Sequence, residues 1–368
     1  MKEAADLIKF LFAKDQNLIR GGFMEHNTLW LKTLHQFRLA CEGFDAVWRK
    51  RMRVFDTFNV ILALLNLCGG DEKSYRSVME HFSEELKRVP AASSFCAARR
   101  NFPAYLIGEI RSELLHLWDN ETSAILFYGL QTYAVDGSWL NLPRQLIHEN
   151  FKVESKGYYP CGLLSGMIRL SDRMIIDVSL TSSFDEREAA KPFLENLTHK
   201  DLVVYDRGYF SHLFMLEHVE RGIGAVFRVS RGNNTKQIND AWEREENDFV
   251  IELHPGKSVC AKALQEFPEK LRTSITVRII KYEIDNEEYM LITNVLDRTI
   301  TAKAFQSLYW NRWTIEEFYK PCKQTIKIES FRSKSLNGVE QEIQAASLLW
   351  NFAMLMNKMI PDDLKKTA

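Results

Sequence analysis

The order of the apolar runs between residues 130 and 230 restricts the fold more than any other feature of this chain. LQTYAVDGS (130–138), GLLSGMIRLS (162–171) and MIIDVSLTSS (174–183) read as three consecutive strands joined by short or polar connections. An amphipathic stretch at about 186–197 predicts a helix, and LVVYD (202–206) a buried strand. Residues 211–221 predict another helix and GAVFRVS (224–230) a last strand. Strand-strand-strand-helix-strand-helix-strand is an α/β layer arrangement on a mixed sheet.

The flanks differ in character. Residues 1–125 read as almost wholly helical, with apolar residues at helical spacing in FDTFNVILALLNL (55–67) and YLIGEIRSELLHLW (105–118). Ser93 or Ser94 is the expected N-cap of a helix that ends in Arg99-Arg100. These arginines and the basic WRKRMR at 48–53 suit a helix-turn-helix type DNA reader, and equally a plain helical bundle with solvated arginines. Residues 231–300 read as a β-rich insertion, in which VRIIKYEID and EYMLITNVL flank an Asp-Asn turn. A final helix is expected over roughly 338–358, before Pro361.

At 46% hydrophobic and 26% charged, 368 residues suffice for two or three globular domains. No window approaches eighteen uninterrupted apolar residues, and the opening MKEAADLIKFLFAKDQ lacks the apolar core of a signal peptide. Six cysteines lie scattered without a C-x-x-C pair, which argues against zinc and against a disulfide framework. A reduced, cytoplasmic protein is expected. The net charge of −1 is unlike that of a dedicated nucleic-acid binder, but charge is local: residues 303–334 carry seven basic and three acidic residues.

Chemistry points to acidic residues. Asp136 ends the first expected strand in Val135-Asp136-Gly137-Ser138, and Asp206 ends the fourth in Tyr205-Asp206-Arg207-Gly208-Tyr209. Aspartate beside glycine also makes turns, yet functional groups in α/β sheets gather at the carboxyl ends of strands. Downstream, YWNRWTIEEFYKPCK (309–323) puts Tyr309, Arg312, Glu316 and Lys323 on one helical stripe, with Ile315 and Phe318 opposite. Three carboxylates without histidine or cysteine suit magnesium or manganese, and a pair of such ions serves phosphodiester transfer. There is no Gly-rich phosphate loop, no G-x-S-x-G elbow and no metal-spaced histidine pair.

The spacing Y-x2-R-x3-E-x6-K, together with AVDGS and VVYDRGYFS, resembles the DDE transposases of the large bacterial insertion-sequence family usually numbered four. IESFRSKSLNGVEQEIQAASLLWN also resembles that family, and ARRNFP does so weakly. The resemblance implies an α/β fold with an RNase H-like mixed sheet flanked by helices. It implies a helical DNA-end-binding domain over 1–125, a catalytic core over 126–230 and 301–358, and a β-rich insertion over 231–300. Asp136, Asp206 and Glu316 would be the catalytic metal ligands for two Mg2+ or Mn2+ ions. Tyr309, Arg312 and Lys323 would contact DNA phosphates, with Lys320, Arg99 and Arg100 as further DNA contacts. Partners would be double-stranded DNA, as terminal inverted repeats and target, and a second copy in a synaptic dimer. The place of action would be the bacterial cytoplasm at the nucleoid. Pro321 should bend or break the signature helix, Glu317 is a rival to Glu316, and Trp242 is expected in the core rather than against a base. The alternatives are an RNase H-like nuclease without strand transfer and an inactive DNA-binding relative.

Overall fold

A computed structural model describes residues 28–49, 54–69, 74–82, 89–155, 157–232, 235–256, 259, 274–324 and 331–359. Among the described residues five helices come first: α1 (Thr28–Trp48), α2 (Thr57–Gly69), α3 (Tyr75–His81), α4 (Ala92–Asn101) and α5 (Tyr105–Glu121). Strand β1 (Gln131–Asn141), a two-residue β2 (Lys152–Val153), β3 (Pro160–Arg169) and β4 (Ile175–Thr181) follow. Next are α6 (Glu186–Ala190), β5 (Asp201–Tyr205), α7 (His212–Arg221), β6 (Gly224–Val229) and α8 (Lys236–Trp242). Strands β7 (Asp248–Leu253), β8 (Ile275–Ile284) and β9 (Glu287–Thr293) lead to α9 (Ala302–Trp310), α10 (Thr314–Gln324) and α11 (Leu336–Met359).

One mixed sheet runs through the molecule. Its central order is β4-β3-β1-β5-β6, with β3 antiparallel to β1 and to β4, and β5 parallel to both β1 and β6. That order, an antiparallel three-strand meander extended by two parallel strands, is the expected RNase H-like arrangement. The β-rich segment does not stand apart from it. Strand β9 pairs antiparallel with β6 and carries β8 and β7 outward, so the insertion lengthens the same sheet. Asp285 and Asn286 close the β8–β9 hairpin with φ of 52° and 63°, the left-handed pair a two-residue hairpin favours.

Side chains alternate across the strands. Leu202 and Val204 of β5 face the core under α9, while Val203 and Tyr205 face the core under α7. On the α9 side, a larger cluster joins Ala134, Leu140, Leu164 and Ile168 of the sheet to α10, α11 and the amino-terminal helices. Those helices therefore do not build a core of their own. Helix α2 is buried on all sides, with Asn59 through Cys68 enclosed, which is the mark of a central helix rather than a surface one.

The outer edge of β4 is closed by side chains instead of another strand. Asn351 of α11 accepts from the Ile175 amide at 2.7 Å and donates to its carbonyl at 2.8 Å. Gln344 donates to the Val178 carbonyl at 3.1 Å, and Arg111 of α5 reaches the Ile176 carbonyl at 3.3 Å and Asp177 at 3.0 Å. Covering an edge in this way satisfies backbone groups and prevents stray strand pairing.

Two local expectations need correction. Helix α4 starts from Ala91 without a side-chain cap, because Ser93 and Ser94 already lie inside its first turn. The signature segment breaks at a 3-10 turn over Asn311–Trp313, whereas α10 continues past Pro321 to Gln324. Pro321 removes one amide close to the helix end, where little remains to be lost. Residues 50–53 of the basic run and the side chain of Lys323 lie outside the described residues.

Candidate active site

The parallel pairing of β1 with β5 ends with Val135 beside Tyr205, and the next residues, Asp136 and Asp206, follow it side by side. Asp206 directly follows β5 as expected, whereas Asp136, expected to end its strand, lies midway along β1, which runs on to Asn141 because β3 continues to pair with it. Both belong to the even-numbered face, on which α9 and α10 pack. Helix α10 is anchored there by Ile315, Phe318 and Tyr319. The Tyr319 hydroxyl donates to the Asp136 carbonyl at 2.7 Å. Gly166, opposite Asp136 on β3, permits this approach, since a Cβ there would meet that hydroxyl at 3.0 Å. Glu316 follows Ile315 in the first turn of α10 and completes the group.

Arg312 stands among all three carboxylates. Its Nη1 lies 3.5 Å from Asp136 Oδ2, while its Nη2 lies 3.7 Å from Asp206 Oδ2 and 3.5 Å from Glu316 Oε1. The Tyr309 hydroxyl donates to Asp206 Oδ1 at 3.0 Å. Arg312 is only 2% exposed, yet its Nε and Nη1 make no hydrogen bond. The guanidinium is thus held by long-range attraction to three anions rather than by close, fully used contacts.

The two aspartates titrate differently. Burial raises the Asp136 pKa to about 6, helped by Asp206 and Glu186 and opposed by Arg312 and the Gly137 amide. Burial also pushes Asp206 upward, but Arg312, the Arg207 amide and the Tyr309 hydroxyl outweigh it and leave Asp206 below its ordinary value. Adjacent carboxylates with separated ionisation ranges are a mark of functional sites.

Other expected site residues divide. Glu317 points away and pairs with Arg173 at 2.9 Å, on the exposed side. Lys320 and Arg100 are exposed. Arg99 is 5% exposed, and its donors are taken by Gln341 (2.9 Å), Tyr75 (2.7 Å), the Gly338 carbonyl (2.8 Å) and Glu342 (2.9 Å). Arg99 joins α4 to α11, with four of its five N–H groups taken by these partners. Tyr309 and Arg312, expected at phosphates, are buried against the carboxylates instead. Trp242 lies in the core beneath α7, with the Arg231 guanidinium 5.2 Å from its ring centre. Sequence reasoning passed over Tyr319, Tyr209 and Glu186. Glu186 directly follows the helix-capping Asp185 and reads as an ordinary first-turn acid.

The donor set fits a hard divalent cation: three partly buried carboxylate groups gathered about positive charge with no nitrogen or sulfur ligand. As placed, no three acidic, histidine or cysteine side chains among the described residues are close enough to share one ion. A guanidinium stands between them.

Comparison with known proteins gives the family. The transposase DDE domain family matches residues 128–352, and the chain belongs to it. The expected kinship with insertion-sequence family four holds as well. Over 284 residues the chain is 21% identical to transposase InsG for insertion sequence element IS4 of Escherichia coli (strain K12), covering 75% of this chain and 63% of that protein. It is 26% identical over 152 residues to the putative transposase y4zB of Sinorhizobium fredii (strain NBRC 101917 / NGR234), covering 40% of each. The chain therefore spans less than two thirds of the length of these curated relatives. Among solved structures it is similar to piggyBac transposase in a synaptic complex with hairpin DNA, at a TM-score of 0.44 and 9% identity, over 96% of this chain and 75% of that one. No described helix is long and apolar enough to cross a membrane.

Proposed function

We propose that this chain is a DNA transposase that hydrolyses a phosphodiester at each end of its element and joins the freed 3′-hydroxyl to target DNA. The observation that carries this reading is the meeting of Asp136, Asp206 and Glu316 around Arg312, just past the point where the parallel pairing of β1 with β5 ends. Two Mg2+ or Mn2+ ions would be held by those carboxylates and would supply activation of the attacking oxygen and stabilisation of the leaving one. Tyr319 fixes the Asp136 backbone, and Tyr309 orients Asp206 while favouring its ionised form. Arg312 offsets part of the negative charge of the trio, and two of its nitrogens, Nε and Nη1, make no hydrogen bond within the protein and would donate to an oxygen of the substrate. Lys320 and Lys323, on the same helix, are the proposed phosphate contacts outside the trio, and Arg100 is a further one on α4. The proposed setting is the bacterial nucleoid, with two copies acting together on the two ends.

The test is incubation of the full-length protein with a supercoiled plasmid carrying the DNA that flanks its own gene. With Mg2+ we expect strand breaks at the element boundary and joined products. A simple nuclease would give breaks without joining. Glu316→Gln should lower cleavage more than about 100-fold, beyond the range of second-shell changes, while DNA binding persists. Full cleavage in EDTA would end the metal reading.

A further inference from the structure

We infer that Glu186 is a fourth carboxylate of this site, placed to donate to a divalent cation held beside Asp206 on the α7 side of the strand ends. The inference rests on the metal reading above and adds a ligand to it. Helix α6 packs through Ala190 on the sheet face opposite α10. Asp136, Asp206 and Glu316 approach the strand ends from one face, and Glu186 approaches from the other. A Cβ built on Gly208, two residues past Asp206, would meet Glu186 Oε2 at 3.1 Å. A Cβ built on Gly137, next to Asp136, would meet Glu186 Cγ at 3.5 Å. The side chain therefore lies against both aspartate-bearing segments, the middle of β1 and the loop after β5, and the two glycines leave room for it.

A second group points to a ligand there. Tyr209 is 1% exposed, and its hydroxyl has no hydrogen-bond partner. That hydroxyl lies 3.4 Å from the same Gly137 position that Glu186 approaches. A buried phenol without an acceptor calls for an oxygen that the protein itself does not provide. Glu186 likewise makes no ion pair with a basic side chain among the described residues, although Arg187 adjoins it in sequence. A carboxylate, which can only accept, and a phenol whose hydroxyl has no partner both lie against the Gly137 position beside Asp136. A hydrated cation satisfies both, because the carboxylate binds the ion and the phenol donates to an oxygen in its shell.

The experiment is Mn2+ binding to the full-length protein without DNA, followed by calorimetry and by the electron paramagnetic resonance of free Mn2+. Glu186→Gln should weaken at least one Mn2+ site by about 10–100-fold. Gly208→Ala, which crowds Oε2, should weaken the same site less. Glu188→Gln, one turn position away and paired with Lys191, should leave binding unchanged. In EDTA, Glu186→Gln should melt no lower than the parent protein, whereas a purely structural role would lower its melting temperature. Mn2+ affinities within about twofold of the parent would overturn the inference. If Glu316→Gln loses Mn2+ and Glu186→Gln does not, the Glu186 inference alone is wrong. If the parent protein binds no Mn2+, the metal reading fails and takes this inference with it.

Discussion

Arg99 and Arg312 are both buried guanidiniums, and their surroundings differ in kind. Arg99 meets one carboxylate, one amide oxygen, one phenol and one backbone carbonyl, all at 2.7–2.9 Å. Its partner Glu342 also accepts from the Arg332 and Ser333 amides at 3.0 Å each. Arg312 faces three carboxylates at 3.5–3.7 Å and leaves two of its N–H groups unused. Charge is balanced in the first cluster and every nitrogen of the guanidinium donates at close range. In the second, negative charge is in excess and the contacts are long. The first arrangement holds α4 against α11; the second is the one proposed to take cations and phosphate. An excess of one sign that packing does not relieve is what separates the site from the scaffold.

The largest effect expected from breaking this contrast is at Arg99. Arg99→Ala leaves Glu342 buried with its amide partners but no cation, and should cost about 3–5 kcal/mol of stability, as for other broken buried pairs. Urea denaturation measures this. Cleavage by the remaining folded protein should be near normal. A variant of full stability that has lost affinity for element ends would instead restore Arg99 as a DNA contact.

How far the sequence reached follows the same line. The strands 130–138, 162–171, 174–183, 202–206 and 224–230 were legible because each is a short apolar run bounded by turn residues. The Asp285-Asn286 hairpin was legible because its chemistry is local. Asp206 was legible because strand ends in α/β sheets collect function; the end of the strand bearing Asp136 was placed too early at Gly137-Ser138, because pairing with β3, a contact between distant segments, carries β1 on to Asn141. The pairing of β9 with β6, and the shared core of α2, α5 and α11, were not, since they depend on contacts between segments far apart in the chain. Arg99 was misread for that reason: its partners Gln341 and Glu342 lie more than 240 residues on. The helix break was misplaced because proline marks a lost amide, while the 3-10 turn at 311–313 is set by the packing of Tyr309 and Ile315 into different cores.

A middle-sized effect tests the excess charge directly. Asp136 has its pKa raised to about 6, so the fold favours its protonated form. The sign follows: stability from this group is full below its unfolded value near 3.8 and is lost as pH rises through about 6. Asp136→Asn removes that loss. It should therefore be more stable than the parent at pH 7–8, by up to about 3 kcal/mol, and should show no cleavage. The gain should shrink as pH falls from 6 towards 4. His218, whose burial holds its pKa down to about 4, weakens both proteins alike on acidification, so the difference between them isolates Asp136. Melting curves across this range in EDTA provide the measurement. A variant less stable than the parent at pH 8 would show that Arg312 already neutralises Asp136 in full.

The smallest effect fixes the register of α10. Glu316 and Glu317 are adjacent in sequence, and only the first turns toward Arg312. Glu317 reaches Arg173 instead, where both side chains are more than half exposed. An exposed pair of this sort contributes little, because solvent screens it and two long side chains must be ordered. Glu317→Gln should change stability by less than about 1 kcal/mol and leave cleavage within about twofold of the parent. The paired measurement is cleavage by Glu316→Gln under the same conditions, where near-complete loss is expected. If Glu317→Gln abolished cleavage and Glu316→Gln retained it, the carboxylate facing Asp206 would be the other one. Helix α10 would then be turned by about 100° from the orientation described, and Arg312 would no longer share its charge with all three acids.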